Sequence, residues 1–396
     1  MVEAIGNNVK FTGIQPNSGV TSPVGGGGNS VASIPSQKPD EFVRQGGEEK
    51  ENKKLSTGAK VGIGAGILAA AGLVVAAIFT KGKNIKPANL SEHVDFQLAK
   101  TKEEAAKFVK DNFGMQYRSK AQNDMSLEMM NFVNKGLTKF NNATKGKYRP
   151  ANFIEYSAKS FINEDADAMA RVLRYDGDKN YYSICFNPKF FENIDKEIAH
   201  TINDNIAAGA ISKINGRYTF DPLNRSFSIA KETEDKITKY LQGNCTLEEK
   251  VELLHLLDDM TDANIKLFEK YNGVLNKLQE LVGTNITVEK TSPFHVVYHE
   301  IGHVYHDLKD PNMFEKMGKL EELKRSGITD FSILNEFNGK YQGVASRVSD
   351  YATTSPAEFV AEVYAKMIDG KKFDDEVMAL YKKYGGPELP NMYNAA

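Results

Sequence analysis

The feature that most constrains this 396-residue chain is a pair of histidines four residues apart, in His299-Glu300-Ile301-Gly302-His303. Positions i and i+4 of an α-helix lie on one face a turn apart, so the two imidazoles can reach the same ion if this segment is helical. Ser292 as N-cap, Pro293 in the first turn and the apolar residues that follow predict such a helix. The pattern therefore predicts a zinc site with Glu300 beside the open coordination position.

A catalytic zinc site needs a third protein ligand, and the chain offers two carboxylates for that role. Asp307 lies one turn beyond His303 on the same helix, where we expect it to support a ligand or to be a surface charge. Glu358 lies on a second segment with helical periodicity, which begins at Ser355-Pro356. Two interpretations of Glu358 stay open on the residues alone: it is a zinc ligand, or it completes a capping box with Ser355.

The arrangement of these segments resembles a known family. Tyr351 precedes the segment Glu358-Phe359-Val360-Ala361-Glu362 by seven residues, and both follow the helix that contains His299 and His303. Over roughly residues 290 to 370, this order of motifs resembles the glutamate-type zincins (gluzincins), most closely the catalytic domain of anthrax lethal factor and its relatives. The resemblance implies that Glu358 is the third zinc ligand, that Tyr351 donates to the oxyanion, and that Glu362 orients a ligand histidine.

Composition limits the partners and the chemistry of the chain. With 41% hydrophobic and 26% charged residues, it can bury a substantial core in one or two domains. A formal net charge of -2 provides no electrostatic footprint for nucleic acid, and we expect no nucleic-acid partner. Cys185 and Cys245 are too few for a disulfide framework and lack metal-binding spacing.

The N-terminal region differs from the rest of the chain. Residues 1–60 are rich in glycine, serine, proline, asparagine and charge, and they are predicted to be a disordered tail. Residues 61–80 carry no charge and are bracketed by Lys60 and Lys81, which predicts one transmembrane helix; a buried helix is the alternative. The lysine distribution favours a cytoplasmic N-terminus, so we expect a single-pass membrane protein with an extracytoplasmic catalytic domain.

Residues 88–390 are predicted to form one α+β, zincin-like domain that is mostly helical with a small sheet. Thr101, Ser126 and Thr246 are predicted N-caps, and the helical stretch after Thr246 is expected to run towards Gly283.

Strands are predicted at 181–187, from alternating apolar residues, and in a hairpin at 211–220 turned by Asn215-Gly216. The strand at 181–187 is either a scaffold strand or a sheet edge that could accept an extended peptide.

Together these patterns predict a membrane-anchored zinc endopeptidase with one Zn²⁺ per chain, held by His299, His303 and Glu358. Glu300 would be the general base for a zinc-activated water, and Tyr351 would stabilise the oxyanion during hydrolysis of a peptide or protein substrate. Two other functions stay open: a membrane-tethered, non-catalytic binding protein with the same fold, and a toxin-like secreted metalloprotease effector.

Overall fold

The chain folds into two compact units. A computed structural model describes residues 43–45, 90–161, 168–175, 181–214, 216–317 and 340–389. Asn193–Thr291 form the smaller unit, and the described parts of Gln37–Glu192 and Ser292–Ala396 form the larger one. The architecture is α+β, mostly helical with a small sheet, as predicted.

A five-stranded mixed sheet organises the larger unit. Its strands are β1 Val43–Gln45, β2 Gln116–Tyr117, β3 Phe153–Tyr156, β4 Ala170–Tyr175 and β5 Tyr181–Phe186. Their order is β1-β4-β5-β3-β2, with β4 and β5 antiparallel and the other neighbours parallel. The strand predicted at 181–187 is confirmed as β5, and it is a scaffold strand because β3 and β4 cover both of its edges.

The α-helices include α1 Lys102–Phe113, α2 Ser119–Asp124, α3 Leu127–Ala143, α4 Pro188–Glu192, α5 Ile194–Ala207, α6 Ala230–Leu241, α7 Leu247–Lys270, α8 Leu275–Gln279, α9 His295–Lys309, α10 Lys340–Ala345, α11 Pro356–Ile368 and α12 Asp375–Lys383. The predicted caps of α1 and α3 are confirmed. The Thr101 side chain accepts a hydrogen bond from the Glu104 amide at 3.2 Å, and the Ser126 side chain accepts one from the Met129 amide at 3.1 Å.

The smaller unit confirms the predicted hairpin. Strands β6 Ile211–Ile214 and β7 Arg217–Phe220 pair antiparallel, and Gly216 adopts φ +77°, a conformation that glycine reaches without steric cost. A capping box at Thr246 opens α7, also as predicted.

The prediction that the helix after Thr246 runs towards Gly283 is wrong. Helix α7 ends at Lys270 because Asn272 and Gly273 adopt φ of 49° and 67°, outside the right-handed helical region. The short helix α8 then follows.

The predicted tail and the predicted span lie outside the described residues, apart from Val43–Gln45, which form β1. Within the described ranges, each helix is either too short or too polar to traverse a lipid bilayer.

Close contact between α9 and α11 sets the geometry of the site. Both helices are buried along most of their length, and α9 also packs against α3 and against β4 and β5 of the sheet. A Cβ atom on Gly302 would lie 3.1 Å from the Cα of Ala361, so glycine lets the two backbones approach directly. This approach brings the acidic side chains of α11 to the histidines of α9.

Candidate metal centre

Helix α9 begins two residues later than the sequence predicts. Its N-cap is Phe294, which makes no side-chain cap, and Ser292 instead forms the preceding turn, where its carbonyl accepts from the His295 amide at 3.0 Å. The reason is packing: the Phe294 ring is fully buried, 5.2 Å from the ring of Phe132 on α3. The prediction of Ser292 as N-cap is therefore wrong, and His295 becomes the first residue of the helix.

Three side chains from α9 and α11 converge on one point. The Nε2 atoms of His299 and His303 are 3.1 Å apart, and Oε2 of Glu358 lies 2.9 Å from the first and 3.2 Å from the second. All three side chains are buried, with exposed fractions of 4%, 7% and 1%. The two histidines and the glutamate that the sequence analysis singles out as ligands thus lie together.

The donor atoms fit a metal ion better than they fit one another. An imidazole N–H points in one fixed direction, so three atoms in a triangle cannot all be joined by good hydrogen bonds. Two imidazole nitrogens and a carboxylate oxygen suit a divalent first-row metal ion. Ligands of a tetrahedral zinc ion lie about 3.3 Å apart, close to the separations found here.

Glu358 has features of both interpretations, the helix cap and the metal ligand. The Ser355 side chain is the N-cap of α11 and accepts a hydrogen bond from the Glu358 amide at 3.2 Å. The Glu358 carboxylate points to the two histidines instead. The backbone of Glu358 is therefore part of the cap, while its side chain is available as a ligand.

Glu362, one turn further along α11, holds the other side of His299. Its Oε1 atom accepts hydrogen bonds from Nδ1 of His299 at 3.0 Å and from Nε2 of His295 at 2.7 Å, and Oε2 accepts from Oγ of Ser349 at 2.7 Å. With Nδ1 as the donor to Glu362, Nε2 of His299 faces Glu358, and this is the nitrogen that would bind a metal once its proton is released. A carboxylate in this position fixes the ring and the tautomer of a metal-binding histidine.

Sequence reasoning missed two members of this network, His295 and Ser349. His295 lies four residues before His299, and this i, i+4 spacing on the ligand face of the helix is a signal that could have identified it. Ser349 has no comparable signal, because its contact with Glu362 depends on how the chain folds back before α11.

The charged groups of the cluster shift one another's pKa values. Burial favours a neutral His299, but the hydrogen bonds and charges of Glu358 and Glu362 outweigh it and hold its pKa well above the usual value. Burial likewise opposes ionisation of Glu362, yet the charge and hydrogen bond of His295, together with His299, hold its pKa well below the usual value. Burial of Glu358 is outweighed by His303 and His299, which lower its pKa. Two ionised carboxylates thus require positive charge here, which protons or a metal ion supply.

Asp307 lies away from the donor cluster, against the sheet. Its carboxylate accepts from Arg174 at 3.0 and 3.1 Å and from the hydroxyl of Tyr182 at 2.5 Å, and all three residues are almost fully buried. Neither group of potential metal ligands found among the described residues includes Asp307. Its contacts fix α9 to β4 and β5.

The two residues predicted to be catalytic, Glu300 and Tyr351, lie in α9 and just before α11, respectively. Glu300 follows His299 in α9 and is fully buried. Tyr351 begins a short 3-10 turn, Tyr351–Thr353, and its ring centroid is 5.6 Å from that of His299. The Oγ atom of Ser349 accepts a hydrogen bond from the Ala352 amide at 3.0 Å, which ties this turn to Glu362.

The chain matches no protein-family model, no curated protein and no solved structure. Its functional class therefore rests on the residues of the site.

Proposed function

We propose that the larger unit is a zinc-dependent endopeptidase domain of the glutamate-type zincin class. One observation carries the proposal: two imidazole nitrogens and a carboxylate oxygen, from His299, His303 and Glu358, converge to within 2.9–3.2 Å. Glu300, which follows the first of these histidines, adds a buried carboxylate that a purely structural metal site does not need. The order of motifs that resembles anthrax lethal factor supports the same class.

Each group of residues in the site would have a separate role in hydrolysis. Zinc held by His299, His303 and Glu358 would lower the pKa of a water and polarise the scissile carbonyl. Glu300 would accept the proton of the attacking water at its carboxylate and pass it to the leaving amine. The hydroxyl of Tyr351 would donate to the oxygen on which negative charge develops.

The proposal is tested first by metal content and cleavage. Full-length protein, purified in detergent, should contain one zinc per chain and cleave members of a peptide library, and a chelator should abolish cleavage. His299→Ala and His303→Ala should lose the zinc because each removes one of three ligands. Stoichiometric zinc in both variants would refute the assignment of the site.

Two Glu→Gln variants test whether Glu358 is a zinc ligand and whether Glu300 is the general base. Glu358→Gln should fold but bind zinc poorly, since an anionic oxygen donor is lost. Glu300→Gln should keep its zinc and lose turnover, because it removes the proton acceptor and no ligand. Glu103→Gln, at an exposed position on α1, is the control and should match the parent in both assays. A zinc-loaded parent that cleaves nothing would favour the non-catalytic binding protein instead.

Membrane attachment through residues 61–80 stays a separate proposal. Its test is extraction of the full-length protein: it should resist high salt and carbonate and dissolve in detergent, and deletion of residues 61–80 should release it. Full-length protein that salt extracts would refute the anchor without affecting the proposed chemistry.

A further inference from the structure

His295 is the third histidine on the ligand face of α9, one turn before His299 and two turns before His303. Its side chain is 12% exposed, and its Nε2 atom lies 2.7 Å from Oε1 of Glu362. The same oxygen accepts from Nδ1 of His299 at 3.0 Å. A single carboxylate oxygen therefore joins the two imidazoles.

The hydrogen bond between His295 and Glu362 restrains the orientation of the Glu362 carboxylate. A buried carboxylate is costly unless donors occupy its lone pairs, and Glu362 is only 5% exposed. Ser349 holds one oxygen, so the orientation of the other is set by His295 and His299 together. Without the donor on His295, the carboxylate could rotate about its last bond, and the hydrogen bond that fixes the tautomer of His299 would weaken.

We infer that His295 is a positioning residue of the metal centre: it holds Glu362 in the orientation that presents Nε2 of His299 to the metal. This inference rests on the proposed zinc site. A hydrogen-bond donor at this position is what matters, and the charge of the ring is not required.

Alternative roles for His295 make different predictions. If His295 served only to fill space at the start of α9, a phenyl ring could replace it without loss of zinc affinity. If it were itself a ligand, its removal would act independently of Glu362, whereas a positioning residue acts only through Glu362.

The test measures zinc affinity by chelator competition, and the absorption spectrum of the Co²⁺-substituted protein, on full-length variants. His295→Phe keeps the ring and removes the donor, and its Kd for zinc should rise about tenfold, the lower end of the effect of losing an outer partner. Its Co²⁺ spectrum should also shift. His295→Gln keeps an N–H where Nε2 lies and should retain the affinity and the spectrum of the parent. The control is His200→Phe, at an exposed histidine of α5 that pairs with Asp204, and it should change neither.

A double variant decides whether His295 acts through Glu362. Adding His295→Phe to Glu362→Gln should weaken zinc binding no further than Glu362→Gln alone, because the carboxylate to be positioned is already absent. Independent, multiplicative losses would overturn the inference, as would a His295→Phe variant that matches the parent or a His295→Gln variant as weak as His295→Phe. If His295→Phe does not fold, as judged by circular dichroism, His295→Leu serves in the same comparison.

These outcomes also separate the inference from the proposed function. A parent that binds zinc but leaves every peptide intact would refute the peptidase, while the affinity ratios would still decide the role of His295. A parent that binds no metal would overturn both.

Discussion

Asp307→Asn is expected to destabilise the larger unit strongly without removing its metal. The carboxylate accepts two hydrogen bonds from Arg174 and one from Tyr182, and none of the three side chains has appreciable exposure to solvent. An asparagine replaces one accepting oxygen by an NH₂ group, which can accept from neither partner, and it leaves the guanidinium without its counter-charge. The variant should therefore fold less stably but still place His303 correctly.

The size of the expected stability loss follows from the burial of the ion pair between Arg174 and Asp307. Breaking a buried ion pair by removing one partner costs about 3–5 kcal/mol, because the remaining charge is left uncompensated. In a unit of roughly 150–250 residues, 1 kcal/mol corresponds to about 2–4 °C, so Tm should fall by about 6–20 °C. Tyr182→Phe removes one hydrogen bond to a charged acceptor and should cost about 1.5–3 kcal/mol.

Denaturant unfolding followed by circular dichroism, with zinc content measured on the same samples, is the appropriate assay. Asp111→Asn breaks an exposed ion pair with Lys107 and is the matched control, with an expected change within about 1 kcal/mol. Replacing both buried partners, with Arg174→Met and Asp307→Leu together, should recover much of the loss. A change below about 1 kcal/mol in Asp307→Asn would refute the reasoning, and so would a stable variant that had lost its zinc.

Three further predictions concern α9 and its surroundings. Gly302→Ala should lower the free energy of unfolding by about 1–3 kcal/mol, because the added methyl group meets the backbone of Ala361, and thermal unfolding against the parent measures it. Tyr351→Phe should lower kcat by about 10²–10³ with KM and zinc content nearly unchanged, if its hydroxyl stabilises the oxyanion; a rise in KM alone would indicate a binding role instead. Burial lowers the pKa of His306 to about 3, so the unfolded chain takes up a proton first as the pH falls through about 6.5. The free energy of unfolding should decrease from there towards pH 3, and His306→Gln should make this slope shallower; an unchanged slope would contradict the assignment.

The parts of the site that sequence could predict are those with local signals. The spacing of His299 and His303, and the Ser355-Pro356 start of α11, identify both helices without knowledge of the fold. The end of α7 was also predictable from the sequence, because Asn272-Gly273 is a turn signal. The helical pattern on both sides of it led to the prediction of one longer helix.

Strand β4 shows why the rest could not be predicted. Two arginines, Arg171 and Arg174, make its sequence look half-exposed, yet both are buried in the fold. Their partners come from elsewhere in the chain: the Ser160 carbonyl accepts from Arg171, and Asp307 accepts from Arg174. Such pairs depend on tertiary contacts, so neither the strand nor the buried position of Asp307 follows from periodicity.

The pairing of β1 with β4 restricts how this chain can meet a membrane. Val43–Gln45 precede residues 61–80, whereas the strand they join, through Leu173–Tyr175, follows them. If residues 61–80 crossed a bilayer once, the two strands would lie on opposite sides of it and could not pair within one chain. While they are paired, β1 and β4 must therefore lie on the same side of any bilayer. A single crossing and a docked β1 are mutually exclusive states, and a chain that passes from one to the other has to give up a strand of its sheet.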